Sequence, residues 1–246
     1  MDRLPSLVRR LGYRSYFRLV ALNYQYRLVT RSNHTPAGSF RCYELVNRHG
    51  DDPMLATVSE SCGPSDVVYD VGANVGIYAL ALAGDVPDRR VVAFEPSPQT
   101  ASHLRANVEV NGLEDQIHVR AQGLGAESGE ATFYVSTYPE LSGFDRESAT
   151  RWEATVADTV SVPVTTLDQV VREGPEPDVV KLDVEGAGPD VLAGGRDTLE
   201  SVSPPLFIEV HEEGLSGKRM AEMRTLLEEV GYHIDEREGY WCCTVS

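Results

Sequence analysis

The run Asp66-Val67-Val68-Tyr69-Asp70-Val71-Gly72-Ala73-Asn74-Val75-Gly76 sets the architecture of this chain. Val67 to Val71 is a short apolar run of the kind found in a strand buried on both faces. The glycine-containing loop behind it leads into an apolar helix over Ile77 to Ala83. Gly72 permits a sharp turn, and Gly76 lets the following helix pack close to the strand.

Outward from this unit the same beat repeats. Arg90 to Phe94 reads as a strand. A helix then opens with Ser97 as cap and Pro98 in its first turn, and ends at Asn111-Gly112. Ile117 to Ala121, Ala131 to Ser136 and Val160 to Val164 read as extended, and Thr137 to Asp158 as a surface excursion without period. Val179 to Asp183, a helix around Asp190 to Leu199, and Leu206 to Val210 restate strand, helix, strand. Lys218 to Val230 reads as a helix, and Tyr232 to Asp235 pairs with Tyr240 to Val245 as a closing hairpin. Upstream, residues 4–30 read as a helix, Ser32 to Ser39 as the break behind it, and Phe40 to Val46 as a strand. Asp52-Pro53 opens a short helix to about Cys62. Alternation of this kind predicts an α/β fold, doubly wound, with a mostly parallel sheet and a helical N-terminal extension.

Composition narrows the functional classes. With 246 residues, 41% hydrophobic and 24% charged, the chain is globular rather than disordered or fibrous. No apolar run spans a bilayer, and the first thirty residues lack a secretory pattern, so the expected location is cytoplasmic. Cys42, Cys62, Cys242 and Cys243 show no zinc spacing, and no residue is assigned to a metal. Thirty-eight acids against 22 bases give a net charge of −16, which opposes a nucleic-acid partner. Only Lys181 and Lys218 are lysine, a balance that resembles halophilic proteins. Residues 1–31 carry seven arginines against Asp2, so −16 less +6 leaves −22 for the remainder. That basic, aromatic segment suits peripheral contact with an anionic membrane at its inner face. It equally suits packing on the acidic domain.

In a doubly wound sheet, ligands collect beyond the carboxyl ends of the strands. A dinucleotide loop would carry three glycines around a pyrophosphate. Here the loop has an acid, Asp70, and two glycines four residues apart, which suits a ligand bearing an ammonium and a sulfonium. Glu95 ends the second strand, nineteen residues after Gly76, where a carboxylate accepts ribose hydroxyls. Together these residues favour S-adenosylmethionine as cofactor. Lys181, Asp183 and Glu185 alternate at one strand end, and Glu209 and His211 at the next. Period two puts each set on one side. They read as a general base, a hold on the cofactor's amino group, a divalent-metal site, or an ion-pair cluster.

These motifs resemble the FkbM family of S-adenosylmethionine-dependent methyltransferases. Val68 to Gly76 is similar to its first motif, and Phe94-Glu95-Pro96-Ser97-Pro98 with Leu104, Asn107, Asn111 and Leu113 to its second. Val162 to Asp168, Lys181 to Gly186, Val191 to Gly194 and Ile208 to His211 follow in the family's order. Gly186-Ala187-Gly188-Pro189 departs from it, and the Thr137–Asp158 segment matches nothing nameable. The resemblance implies a seven-stranded, Rossmann-like class I methyltransferase domain over residues 61–246, with 1–60 as a basic extension.

It also implies an O-methyltransferase acting on a sugar or glycolipid, in cell-surface or N-glycan biosynthesis. Asp70, Gly72, Asn74 and Gly76 would hold the methionine part, Glu95 the ribose, Gln122 the adenine, and Asp183 the amino group or the substrate. His211 and Glu185 are the candidate bases, with Lys181 orienting a neighbour. A uronic-acid carboxylate would need no base, so hydroxyl and carboxylate acceptors both stay open. A non-catalytic module of a glycan-assembly complex and an NAD-dependent oxidoreductase are the alternatives.

Overall fold

A computed structural model describes residues 6–184, 186–210 and 217–245. Helix α1 (Ser6–Tyr26) leads into a two-stranded antiparallel sheet of β1 (Arg31–Thr35) and β2 (Gly38–Cys42). Helix α2 (Pro53–Ser61) follows, its first turn closed by the Asp52 side chain, which accepts from the Leu55 N–H.

The central layer is then laid down by β3 (Val67–Val71), α3 (Ile77–Gly84), β4 (Arg90–Phe94), α4 (Pro98–Asn111) and β5 (Ile117–Arg120). Strands β6 (Gly123–Leu124), β7 (Gly129–Ser136) and β8 (Val156–Thr165) form a separate small sheet in the order β6-β8-β7. The chain returns through α5 (Leu167–Glu173), β9 (Val179–Leu182), α6 (Gly188–Ala193), α7 (Arg196–Ser201) and β10 (Leu206–Glu209). It ends with α8 (Gly217–Glu229), β11 (Tyr232–Arg237) and β12 (Tyr240–Val245).

The main sheet has seven strands in the order β11-β12-β10-β9-β3-β4-β5. Five neighbours, β10 to β5, run parallel, while β12 is antiparallel to both β10 and β11. The order reverses between β3 and β9, which is where a crevice opens in such sheets.

Strands β3, β4, β9 and β10 each feed two cores, and β5 only the first of them. Val68, Ala93, Val179 and Phe207 pack on one face with α3, α2 and part of α4. Tyr69, Val71, Phe94, Val180, Leu182 and Ile208 pack on the other with α6, α7 and α8. The first of these cores takes Phe40, Cys42, Met54, Leu55 and Val58 as well, so side chains from both sides of position 60 share it. Helix α1 joins through Val20 and Tyr24, which pack with Tyr43 and Ala106, and Tyr24 stacks on His103 at 3.9 Å. The arginine side chains of its first turns lie outside the described residues. Arg27 at its end pairs with Glu109 at 2.7 Å.

Several sequence expectations need revision. Ser32 to Thr35, read as part of a break, belong to strand β1, because its partner β2 supplies the ladder that its polar side chains do not advertise. The helix expected around Asp190 to Leu199 is two helices. Gly194 and Gly195 part them, and a Cβ on Gly194 would stand 2.0 Å from the Gly125 carbonyl oxygen. The Thr137–Asp158 segment is no mere surface excursion. Tyr138, Leu141, Ser148, Ala149 and Ala154 are buried, and Phe17 of α1 packs on that cluster. Loops and two single-turn 3-10 helices, Pro139–Leu141 and Ser148–Thr150, present these side chains, too short for a period to mark them in sequence.

Candidate active site

The crevice lies where the sheet order reverses, and its floor is the loop after β3. Gly72, Asn74 and Gly76 all have positive φ, at +77°, +51° and +89°. A Cβ on Gly72 would stand 1.7 Å from the Asp183 carbonyl oxygen, and one on Gly76 would stand 2.0 Å from Leu104 Cδ1. Both glycines are therefore demanded by packing as well as by φ. The loop is also tied from behind: Asn107 on α4 donates to the Val75 carbonyl at 2.9 Å and to the Tyr24 hydroxyl at 2.9 Å, and accepts the Tyr43 N–H at 3.0 Å. One amide thus joins the loop, α1 and the segment behind β2.

Asp70 is fully buried and lines neither cavity described below. It sits in register with Lys181 on β9, and Lys181 Nζ is 3.0 Å from Asp70 Oδ1 and 3.7 Å from Asp183 Oδ2. The ammonium also donates to the Gly72 carbonyl at 3.0 Å and rests 4.9 Å from the centroid of the Tyr78 ring. Burial works against its charge, yet Asp70, Asp183 and Glu209 outweigh burial and hold Lys181 above the ordinary lysine range. Lys181 therefore braces the loop as a permanent cation.

Glu95, at the end of β4, is 7% exposed. Its Oε2 accepts the Asn74 N–H at 3.0 Å and its Oε1 the Ser97 N–H at 2.9 Å. Burial pushes this carboxyl up to about 7 in spite of those two donors and Lys181. Each oxygen keeps a further lone pair for a ligand.

Two cavities meet over the loop. The larger, about 610 Å³, is bounded by Gly72, Asn74, Lys181, Asp183 and Glu209 on the sheet side. Its opposite wall comes from α1 through Tyr16 and Phe17, from Glu44 to His49, and from Pro139 to Leu141 with Arg151 and Trp152. Arg48 and Glu140 pair at 3.1 Å across that wall. The smaller, about 80 Å³, holds Glu95, Phe133 and Phe144 and shares Gly72, Asn74 and Asp183 with the first.

Gln122 is half-buried and lines neither cavity. His211 and Glu185 lie outside the described residues. The expected group is therefore brought together at Gly72, Asn74, Glu95, Lys181 and Asp183, with Asp70 one layer below.

A cluster that the sequence reading did not single out faces the larger cavity. His49 Nδ1 is 2.8 Å from Asp52 Oδ2, and the Tyr78 hydroxyl donates to the same oxygen at 2.9 Å. Asp52 was read only as a helix cap. A histidine three residues before such a cap was the available signal.

The acidic acceptor set of Glu95, Asp183 and Glu209 fits a cationic, phosphate-free adenosyl ligand and would repel a pyrophosphate. Comparison with known proteins agrees. The family model for the methyltransferase FkbM domain matches residues 70–234. The chain is 32% identical to the hexuronic acid methyltransferase AglP of Haloferax volcanii, over 69% of this chain and 66% of that protein, just under two thirds of its length. It is 32% identical to the 31-O-demethyl-FK506 methyltransferase FkbM of Streptomyces tacrolimicus, over 65% of this chain and 72% of that one. Among solved structures, the methyltransferase FkbM of Methylobacillus flagellatus superposes with a TM-score of 0.52 at 17% identity, covering 73% of this chain and 43% of that chain, which speaks to the fold. Residues 1–69, with α1, α2 and the His49–Asp52 pair, precede the family match.

Proposed function

The chain belongs to the FkbM family of S-adenosylmethionine-dependent methyltransferases, and from that membership we propose that it methylates an oxygen of a sugar or glycolipid in glycan assembly. The observation that carries this reading is the 610 Å³ cavity, half glycine loop and carboxylates, half aromatic and cationic side chains. The first half suits the cofactor. In the second, Tyr16 and Trp152 offer faces for a sugar ring, and polar groups beside them offer partners for its hydroxyls. AglP, named for a hexuronic acid, supports the same substrate class.

When bound, the cofactor supplies an electrophilic methyl on a sulfonium. The remaining work falls to this chain's own residues. Glu95 holds the ribose hydroxyls, being itself held still by the Asn74 and Ser97 N–H groups. Gly72, Asn74 and Gly76 shape the seat of the methionine part, and Asp183 takes its ammonium. Asp70 acts one step removed, through Lys181 and the Gly72 carbonyl. Gln122, which the family resemblance gave to the adenine, borders neither cavity and receives no role in this seat. Alignment of acceptor and methyl, worth roughly 7–11 kcal/mol at best, is the main source of rate.

The test is transfer of labelled methyl from S-adenosylmethionine to a panel of hexose, hexuronate and lipid-linked glycans in concentrated potassium chloride. Transfer to any of them, lost in Glu95→Ala, supports the reading. Cofactor binding without transfer to any member of the panel would leave the non-catalytic module as the better account.

A further inference from the structure

We propose that His49, supplied by the segment ahead of the family domain, is the general base that takes the acceptor's proton, and that the methylated oxygen is therefore a hydroxyl. This deepens the methyltransferase reading above and rests on it.

The argument starts at Asp52. Its Oδ1 accepts the Leu55 N–H at 2.9 Å as the cap of α2, and its Oδ2 receives both the Tyr78 hydroxyl and His49. Burial alone would push this carboxyl up, but the hydrogen bonds from His49, Leu55 and Tyr78 outweigh it and hold Asp52 below its ordinary value. Tyr78 goes the other way: burial and the neighbouring Asp52 raise it far above a free phenol, so it keeps its proton and donates. An ionised carboxylate has no proton to give, so Nδ1 of His49 must be the donor at 2.8 Å. In the neutral imidazole, the form a base requires, the lone pair then resides on Nε2, which has no hydrogen-bond partner among the described residues. This is an imidazole of fixed tautomer, held by a carboxylate, on the wall of the cavity.

Its position suits the reaction. The His49 ring meets the Tyr78 ring edge-on, with centroids 6.0 Å apart, and that same phenol ring lies 4.9 Å from Lys181 Nζ. Lys181 in turn holds the Gly72 carbonyl. One aromatic ring thus separates the imidazole from the brace of the cofactor loop. Asp52 and Tyr78 touch His49 directly, and Arg48 adjoins it in the chain. Lys181, Asp183 and Glu209 face it from the sheet, and Glu44, Glu140 and Arg151 from the other walls. Lys181 is no rival base, since its carboxylate neighbours keep it protonated. Glu95 lies in the smaller cavity, is not among the residues that bound the larger one, and is given to the ribose in the reading above.

In the step itself the acceptor O–H bond breaks and its proton passes to Nε2. The oxygen forms the new bond to the methyl carbon while the carbon–sulfur bond breaks, and sulfur keeps that electron pair as a neutral thioether. The imidazolium afterwards returns its proton to water. A carboxylate acceptor has no proton to lose at neutral pH and would leave this pair without work.

The test uses His49→Gln and Asp52→Asn in the full chain. Asparagine also caps helices, so α2 keeps its start. Calorimetry first measures S-adenosylmethionine affinity, which is expected to stay within about twofold of wild type, since neither residue touches that seat. At saturating cofactor, kcat on a sugar hydroxyl is expected to fall roughly 10²–10⁴-fold in His49→Gln, the usual worth of a general base, and the acid limb of the kcat profile to vanish. Nitrogen-15 spectra of the imidazole should show the Nδ1–H form in wild type and its loss in Asp52→Asn. Full turnover of a hydroxyl acceptor by His49→Gln with an unchanged acid limb, or transfer to carboxylates alone, overturns the proposal while the methyltransferase reading stands. Failure of the wild type to bind S-adenosylmethionine overturns both.

Discussion

The two walls of the cavity are made by different means. The sheet-side wall is backbone and buried charge: three positive-φ residues in five, and a lysine fixed between Asp70, Asp183 and the Gly72 carbonyl. The opposite wall is side chains from α1, the 43–49 segment and the turns of 137–154, clasped by Arg48–Glu140 and by Phe17 on Tyr138. The first wall is intolerant, because each part is held by a group that has nowhere else to go. Apart from the His49–Asp52 pair, the second rests on aromatic packing and the partly exposed Arg48–Glu140 ion pair, which can be exchanged at small cost. A cofactor shared by a family suits the first kind of wall, and an acceptor particular to one protein suits the second.

The contrast breaks most visibly at Lys181. Lys181→Met strands Asp70 without its counter-charge at zero exposure, and should cost about 3–5 kcal/mol in urea unfolding. Adding Asp70→Asn should return much of that. A loss below about 1 kcal/mol in the single variant would mean that the pair does not brace the loop. Next comes Gly72→Ala, whose Cβ meets the Asp183 carbonyl. It should cost about 1–3 kcal/mol from overpacking beyond the penalty for its φ, and weaken S-adenosylmethionine binding more than tenfold. Gly112→Ala is the control, with φ +67° but open space around it, and only the left-handed penalty of about 1–2 kcal/mol applies there. Equal losses at the two glycines would remove the distinction.

Glu95 offers a smaller, pH-dependent effect. In the proposed role its carboxylate would accept the ribose hydroxyls, and burial pushes this carboxyl up to about 7. Cofactor affinity measured by calorimetry should therefore fall as pH drops from 8.5 through about 7. Glu95→Gln should bind roughly tenfold more weakly at high pH and show a flat profile, as expected for a hydrogen bond to charge worth about 1.5–3 kcal/mol. The smallest effect belongs to the second wall. Arg48→Ala removes an ion pair with Arg48 half exposed, so stability should move by only ~0.2–1 kcal/mol, while acceptor KM rises and cofactor affinity stays put. A change in cofactor affinity instead would show that the walls are not separable.

Much of the first wall could be read without coordinates. The Ser97 cap, the Pro98 start and the Gly112 stop of α4 fall where local chemistry puts them, and so does the Asp52 cap of α2. Alternation along β9 and β10 correctly puts Lys181, Asp183 and Glu209 on one side, because strand period is a local property. What escaped was whatever depends on distant partners. Strand β1 exists through β2, and α5, capped by Thr166, has no counterpart among the elements read from sequence. The buried turns of 137–154 pack on a helix more than a hundred residues earlier.

The sequence by itself determined the strand–loop–helix unit, the spacing of Glu95 from the glycines and hence the class of cofactor, since these follow from backbone geometry within a few tens of residues. The tertiary structure alone decided that Asp70 serves Lys181 rather than the cavity, and that His49 comes to rest beside Tyr78. Both depend on which side chains meet when strands and helices remote in sequence pack together, and no local period encodes that meeting.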